Sequence, residues 1–426
     1  MSGEAVRYEA SEAFARRMDA EDPLRHFRDE FLFPRHHGEP VIYLVGNSLG
    51  LQPRKTKTYV QEALEDWETF GVEGHFRGGR PWLPYHEMLT GQTARLVGAH
   101  PLEVVVMNTL TVNLHLMLVS FYRPSGERRK ILMEAGAFPS DQYAVASQVR
   151  FHGYTPEEAV LPLTPRPGEE TLRTEDILET IERHGKELAL VLLGNVNYLT
   201  GQAFDMAAIT RAAHKQGCRV GFDLAHAAGN LQLSLHDDGP DFAVWCSYKY
   251  LNGGPGTLGG VFVHERHARN QELPRFQGWW GHDKQTRFQM GPDFEPIPGA
   301  EGWQLSNPPI FQMAALRASM DIFDRATMPA LRRKSELLTG YLEFLLDRLP
   351  PGFVRSITPR DPRQRGAHLS LRFSKEPRHL LEKLTEQGVV CDFRSPDIIR
   401  AAPAPLYVSF HDVYRFAGIL ERHARD

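Results

Sequence analysis

"WCSYKYLNGGPGTLGG" (residues 245–260) sets a lysine between two tyrosines, directly after an apolar run and ahead of five glycines. The residues before it, Phe242, Ala243, Val244 and Trp245, read as a buried strand that ends at Cys246. Lys249 therefore falls where strand gives way to loop. A lysine at an apolar edge must be solvated, paired or chemically employed, because burying its charge alone is costly. It can also reach the surface over its own methylenes. This stretch alone does not choose between those fates.

Composition narrows the field. The chain has 426 residues, 42% hydrophobic and 24% charged, as an ordinary globular protein does. That length suggests two or three domains, or one large domain with a smaller satellite. A formal net charge of −4 argues against a nucleic-acid surface. The three cysteines, Cys218, Cys246 and Cys391, are far apart and form no CxxC pair. They fit buried thiols in a reducing compartment. The N-terminal stretch has no apolar core of a secretory signal, and no segment approaches the ~18 apolar residues of a membrane span. A cytoplasmic protein is expected.

Apolar strands alternate with amphipathic helices through the first two thirds of the chain. Val60, Ala63, Leu64 and Trp67 recur at helical spacing over 56–70, closed by Gly71. Strands are predicted at 103–108, 130–136, 188–196, from 219, at 241–247 and at 259–264. Helices are predicted at 111–122, 139–149 and 205–217, the last capped by Asp205. Continuously apolar strands alternating with helices mean a mostly parallel sheet covered on both faces, an α/β fold. After Pro308-Pro309 the texture changes to a long helix-rich stretch (311–347), a strand (368–374), a helix (377–387), short strands near 389–393 and 405–410, and a last helix (411–424). The expected division is a large domain over 46–310 and a smaller α+β domain over 311–426. Residues 1–45 are expected to pack with the latter.

In such a sheet, ligands bind beyond the carboxyl ends of the strands. The residues just past them include Asn108 to Thr111, Phe138 to Asp141, Asn195, Asn197, Asp223, His226 and Ser247 to Lys249. One edge thus gathers an amine, acids, an aromatic ring and helix N-termini, which bind phosphate. Pyridoxal phosphate needs that set: a lysine for its aldehyde, backbone N–H groups for its phosphate and an acid for its ring nitrogen. Asp223, ending "RVGFD", is the acid; by itself it would read as a turn-forming cap. The rival reading, a dinucleotide loop, fails because "GGPGTLGG" runs into the strand-like "GGVFVH" and opens no helix.

Seven motifs together carry a resemblance: "GNSLGL", "AFPSD", "FDLAHAAGN", "WCSYKYLNGGPG", "GWWGH", "SNPPI" and "RAAPAPLY". In this order, from about Tyr43 to the C-terminus, they resemble the kynureninase family, pyridoxal-phosphate enzymes of fold type I. The resemblance implies hydrolysis of the Cβ–Cγ bond of kynurenine, giving anthranilate and alanine. It implies a homodimer with shared active sites and a part in tryptophan catabolism or NAD precursor synthesis. Lys249 would hold the cofactor and move protons, Asp223 would meet the ring nitrogen, and Phe138 would stack on the ring. Leu110, Thr111, Pro139, Ser140, Asp141, Gly194, His226, Tyr248, Trp279 and Asn307 would complete the cofactor site. Tyr248 is also a candidate proton carrier. Arg400, with Ser48, would take the substrate carboxylate. One departure stands out: the family often carries Ser or Thr where this chain has Gly194, and Asn195 or Asn197 is expected to replace the missing hydroxyl.

His75, Ser306 and Asn307 resemble the choices of members that favour 3-hydroxykynurenine. A buried hydroxyl without a partner costs about 1–3 kcal/mol, so a pocket must either bond it or exclude it. Plainer readings exist for several of these residues. His226 fits a core histidine, Trp280 an interface aromatic, and Arg400 a surface ion pair. Three other functions stay open: a cysteine desulfurase of the same fold, which needs a reactive cysteine in a mobile loop; a NAD-binding dehydrogenase; and a non-enzymatic sensing domain, for whose DNA-binding extension the first 40 residues are too short.

Overall fold

The computed structural model describes residues 6–374 and 376–425. The ends of the expected N-terminal and C-terminal segments, residues 1–5 and 426, lie outside that description, as does residue 375. A seven-stranded sheet organises the chain. Its strands are β1 (Val104–Met107), β2 (Lys130–Glu134), β3 (Val160–Leu163), β4 (Leu188–Gly194), β5 (Arg219–Asp223), β6 (Phe242–Cys246) and β7 (Gly259–Val263). They lie side by side in the order β1-β7-β6-β5-β4-β2-β3. Strands β6, β5, β4, β2 and β3 run parallel. Only β7 is antiparallel, to β6 on one side and β1 on the other.

The apolar runs have a direct cause. Val104, Val106, Leu132, Val191, Leu193, Phe222 and Trp245 belong to one hydrophobic cluster. The residues between them, Val105, Met107, Ile131, Met133, Leu192 and Val244, belong to another. Alternate side chains thus enter two cores on opposite faces, so no strand can afford a polar face. The helix Leu110–Phe121 and most of the buried residues of Pro139–Phe151 fill the second core, while Thr174–His184 and Met206–Lys215 help to fill the first. Asp205 caps the last of these by accepting from Ala208 N–H at 2.9 Å, and Gly71 ends Thr56–Phe70 with φ +52°, both as predicted. β3 escaped the sequence reading. It is an edge strand, half exposed, with Pro162 inside it, and proline is tolerated only at such an edge.

A second sheet holds β8 (Val354–Ser356), β9 (Leu369–Phe373), β10 (Asp392–Arg394) and β11 (Ile398–Ala401), in the order β8-β9-β11-β10 and antiparallel throughout. The strand expected near 405–410 is instead a turn, and the pairing strand is β11. Pro403 and Pro405 remove the backbone donors that a ladder there would need. The N-terminal segment reaches this unit. Ile42–Tyr43 pairs in parallel with Val389–Val390, and Val45 bridges Ala402. Asp19, on the helix Glu12–Glu21, accepts from the N–H groups of Phe410 and His411 at 2.6 and 3.0 Å. The helix Ile310–Ala326 lies against Thr56–Phe70, where Tyr59 donates to Asp321 at 2.7 Å. Among the described residues no helix is long and apolar enough to cross a membrane.

Candidate active site

The carboxyl ends of β2, β4, β5 and β6 open into one cavity of about 190 Å³. β2 ends there in Glu134, β4 in Gly194 and β5 in Asp223, while the loop after β6 brings Tyr248 and Lys249. The register sets Asp223 level with Gly194, so neighbouring strands deliver their last residues to the same depth. Two helices start at the cavity and supply Leu110 and Thr111 from one, Phe138, Ser140 and Asp141 from the other. A hydroxyl pair, Thr111 and Ser140, joins their first turns at 2.8 Å. N–H groups in a first helical turn have no partner within the helix and suit an anion.

Eleven of the residues singled out in the sequence line this cavity: Leu110, Thr111, Phe138, Ser140, Asp141, Gly194, Asn197, Asp223, His226, Tyr248 and Lys249. Pro139, expected in the cofactor site, is the first residue of its helix and does not line the cavity. Lys249 Nζ lies 3.0 Å from His226 Nε2 and 5.8 Å from the centre of the Phe138 ring. Burial first, then the Lys249 charge, drive the His226 imidazole well below the ordinary histidine range, so it is neutral. Asp223 accepts from Ala225 N–H at 2.7 Å. Asp141 lies against it, and burial together with the Asp223 charge holds the Asp141 carboxyl well above the usual carboxylate range. Burial raises the Asp223 carboxyl too, but less, so within the pair Asp141 is the acid that holds the proton and Asp223 the one that carries the charge. Burial also pushes the Tyr248 phenol up, so it holds its proton.

Two polar lining residues, Glu134 and Tyr198, went unread in the sequence. Glu134 is buried, and burial raises its carboxyl to about 7. It accepts from Gly194 N–H and from Asn197 Nδ2, both at 2.7 Å. The signal was present: an acid closing the apolar strand "KILME", at the edge where the other site residues stand. Asn197 and Tyr198 also line the cavity. A Cβ on residue 194 would lie 3.2 Å from Glu134 Oε2, so the polar group beside Gly194 is this carboxylate. The expectation for Asn195 is corrected: its side-chain oxygen accepts from Phe204 N–H at 3.0 Å and does not line the cavity.

Arg400 and Ser48 come together at the second sheet. The Arg400 guanidinium is buried and paired with Asp392, Nε to Oδ1 at 2.7 Å. It donates to Ser48 Oγ at 3.1 Å and to the Tyr198 carbonyl at 2.6 Å. A surface ion pair is excluded for it. Arg400, Ser48, His75, Trp279, Ser306 and Asn307 do not line this cavity. Trp279 spends its indole N–H on the Arg287 carbonyl at 3.1 Å, and Ser306 and Asn307 are exposed. His75 packs edge-on to Trp82 with ring centres 5.2 Å apart. Phe76, Phe288 and Trp279 continue this surface as one exposed aromatic patch.

The donor set fits pyridoxal phosphate. Lys249 offers the amine, Phe138 a ring face, the Asp141–Asp223 pair an acid for the ring nitrogen, and two helix starts a phosphate cradle. Asp141 Oδ1 and His226 Nδ1 are buried polar atoms with no protein partner, which suits a pocket shaped for a polar guest. The thiols do not suit catalysis: burial raises Cys218, Cys246 and Cys391 above the ordinary range.

Comparison with known proteins agrees with this geometry. Residues 331–420 match the family model for the kynureninase C-terminal domain. The chain is 75% identical over 420 residues to a kynureninase of Myxococcus xanthus, covering 98% of this chain and 99% of the relative. It is 62% identical over 413 residues to a kynureninase of Koribacter versatilis, covering 97% of each. Among solved structures, a cysteine desulfurase from Escherichia coli superposes with a TM-score of 0.75 at 17% identity, over 94% of this chain and 98% of that one. That likeness shows the shared fold, fold type I.

Proposed function

Since the chain belongs to the kynureninase family, we infer that it hydrolyses the Cβ–Cγ bond of L-kynurenine or its 3-hydroxy form. The products are anthranilate or 3-hydroxyanthranilate, with L-alanine. The protein is a pyridoxal-phosphate-dependent carbon–carbon hydrolase. The observation that carries this reading is Lys249 beside a neutral His226, in a cavity that the Asp141–Asp223 pair also lines. When bound, the cofactor supplies the electron sink for bond cleavage.

The chain's own residues do the rest. Lys249 anchors the cofactor aldehyde and afterwards moves protons at its Nζ. Neutral His226 receives a hydrogen bond from that amine without adding a second positive charge. Asp223, kept ionised by the proton on Asp141, holds the ring nitrogen in its charged form. Tyr248, adjacent in sequence to Lys249, delivers a proton to the leaving carbon. Arg400, oriented by Asp392, Ser48 and the Tyr198 carbonyl, takes the substrate carboxylate.

We propose that the enzyme is a cytoplasmic homodimer that binds neither nucleic acid nor membrane and serves tryptophan catabolism or NAD precursor synthesis. The exposed patch of Phe76, Phe288 and Trp279 supports the dimer, because its residues would then face the partner's cofactor rather than their own. The chain divides at 46–310 and 311–426, with residues 1–45 joined to the second unit. His75, Ser306 and Asn307 then read the 3-hydroxyl across the interface. Purified holoenzyme given each substrate tests both levels. Equimolar alanine and anthranilate are expected, with kcat/KM about tenfold or more higher for the 3-hydroxy substrate. The ratio should collapse in His75→Trp with Asn307→Thr. No cleavage of either substrate refutes the reaction; a preference for kynurenine, or an unchanged ratio in the double variant, refutes the hydroxyl reading.

A further inference from the structure

Glu134 stands behind Gly194 and makes no contact that the reaction itself requires. Its two oxygens hold the Gly194 N–H and the Asn197 side chain. Asn197 in turn organises a tight turn: its Oδ1 accepts from Leu199 N–H at 3.0 Å, Thr200 N–H at 2.9 Å and Thr200 Oγ1 at 3.1 Å. That turn joins the two sheets. The Tyr198 carbonyl accepts from Arg400 Nη1, and the Leu199 carbonyl accepts from Ser370 Oγ on β9. The Tyr198 ring stands edge-on to Phe138, with centres 5.2 Å apart. An unbroken line of hydrogen bonds thus runs from Glu134 through Asn197 and the turn to the arginine of the second sheet.

We propose that Glu134 is a positioning residue: through Asn197 it sets the 197–200 turn, and with it the guanidinium of Arg400, for the carboxylate of an amino-acid ligand. Gly194 belongs to the same device, because its missing Cβ leaves room for the carboxylate. Two N–H donors on two oxygens favour the ionised form, because a protonated carboxyl accepts more weakly at its hydroxyl oxygen. Charged or titratable neighbours bear on it from three elements: Asp223 at the end of β5, Asp141 on the helix Pro139–Phe151, and Lys249 beyond β6. The carboxyl titrates at about 7, since burial raises it. Above that value it is ionised and the turn is held; below it the hold on Asn197 weakens.

This inference rests on Arg400 as the carboxylate site, so its test uses a ligand that needs no bond cleavage. L-Alanine is titrated into the cofactor-loaded protein and its dissociation constant read from the cofactor's visible absorbance. At about pH 8, Glu134→Gln and Asn197→Ala should each weaken binding about tenfold, and the double variant no more than either alone. Cofactor affinity of the apoprotein should stay within about threefold of the parent. Near pH 6 the parent should fall toward Glu134→Gln, leaving a gap below about twofold. Additive losses, a gap that ignores pH, or weakened cofactor binding with alanine binding intact would each overturn the proposal. If Glu134→Gln does not fold, the gap between the parent and Asn197→Ala at the two pH values decides in the same way. A protein that binds alanine as described but leaves kynurenine intact refutes the reaction and not this role.

Discussion

In the proposed mechanism Asp223 is the residue whose chemistry is least replaceable. Its carboxylate is buried, and the proton that its neighbour Asp141 keeps leaves it the charge. An amide at this position would have the same shape and one hydrogen bond from Ala225, but no charge to hold a ring nitrogen protonated. Asp223→Asn should therefore keep the cofactor on Lys249 and lose about a hundredfold or more in kcat, measured by anthranilate release. A kcat near that of the parent would remove Asp223 from the mechanism. The sequence alone shows Asp223 and Lys249, because the first closes an apolar strand and the second follows one, on the edge where ligands bind. Glu134 closes such a strand too, but an acid two residues ahead of Gly136 also reads as the start of a turn, and its partners Gly194 and Asn197 are about sixty residues away. No local pattern reveals that pairing.

At the scale of elements, the glycines of the opening stretch turn out to be packing devices. Gly254 and Gly256 take φ of +98° and +67° in the turn after Lys249. Gly259 and Gly260 begin β7 directly against β6, where a Cβ on Gly260 would stand 2.2 Å from the Trp245 ring and one on Gly259 2.2 Å from the Trp245 carbonyl. The buried indole needs bare backbone beside it. Gly260→Ala should destabilise the protein by about 1–3 kcal/mol, seen as a lower denaturation midpoint at unchanged slope. An unchanged midpoint would mean that the sheet yields there at no cost. The element pattern was legible because both faces of the sheet are buried. β3 and β11 were not, since the first is half exposed around Pro162 and the second is short and set in a sheet of polar borders.

For the whole molecule, one chain builds the amine, the acids and the phosphate cradle but leaves His75, Trp279 and Asn307 on the outside. Their types were readable from motifs; their distance from Lys249 in the same chain was not, because it depends on how whole surfaces meet. The proposed twofold dimer would reconcile them, and light scattering of the holoenzyme should then report about twice the mass of one chain. A fully active monomer at assay concentration would contradict it. The reading as a whole stands on the bond between cofactor and lysine. Borohydride reduction of the holoenzyme, proteolysis and peptide mass measurement should place the reduced cofactor on the peptide containing Lys249, and Lys249→Gln should carry no adduct. An adduct on Lys215 or Lys284, or none at all, would contradict the site and the mechanism built on it.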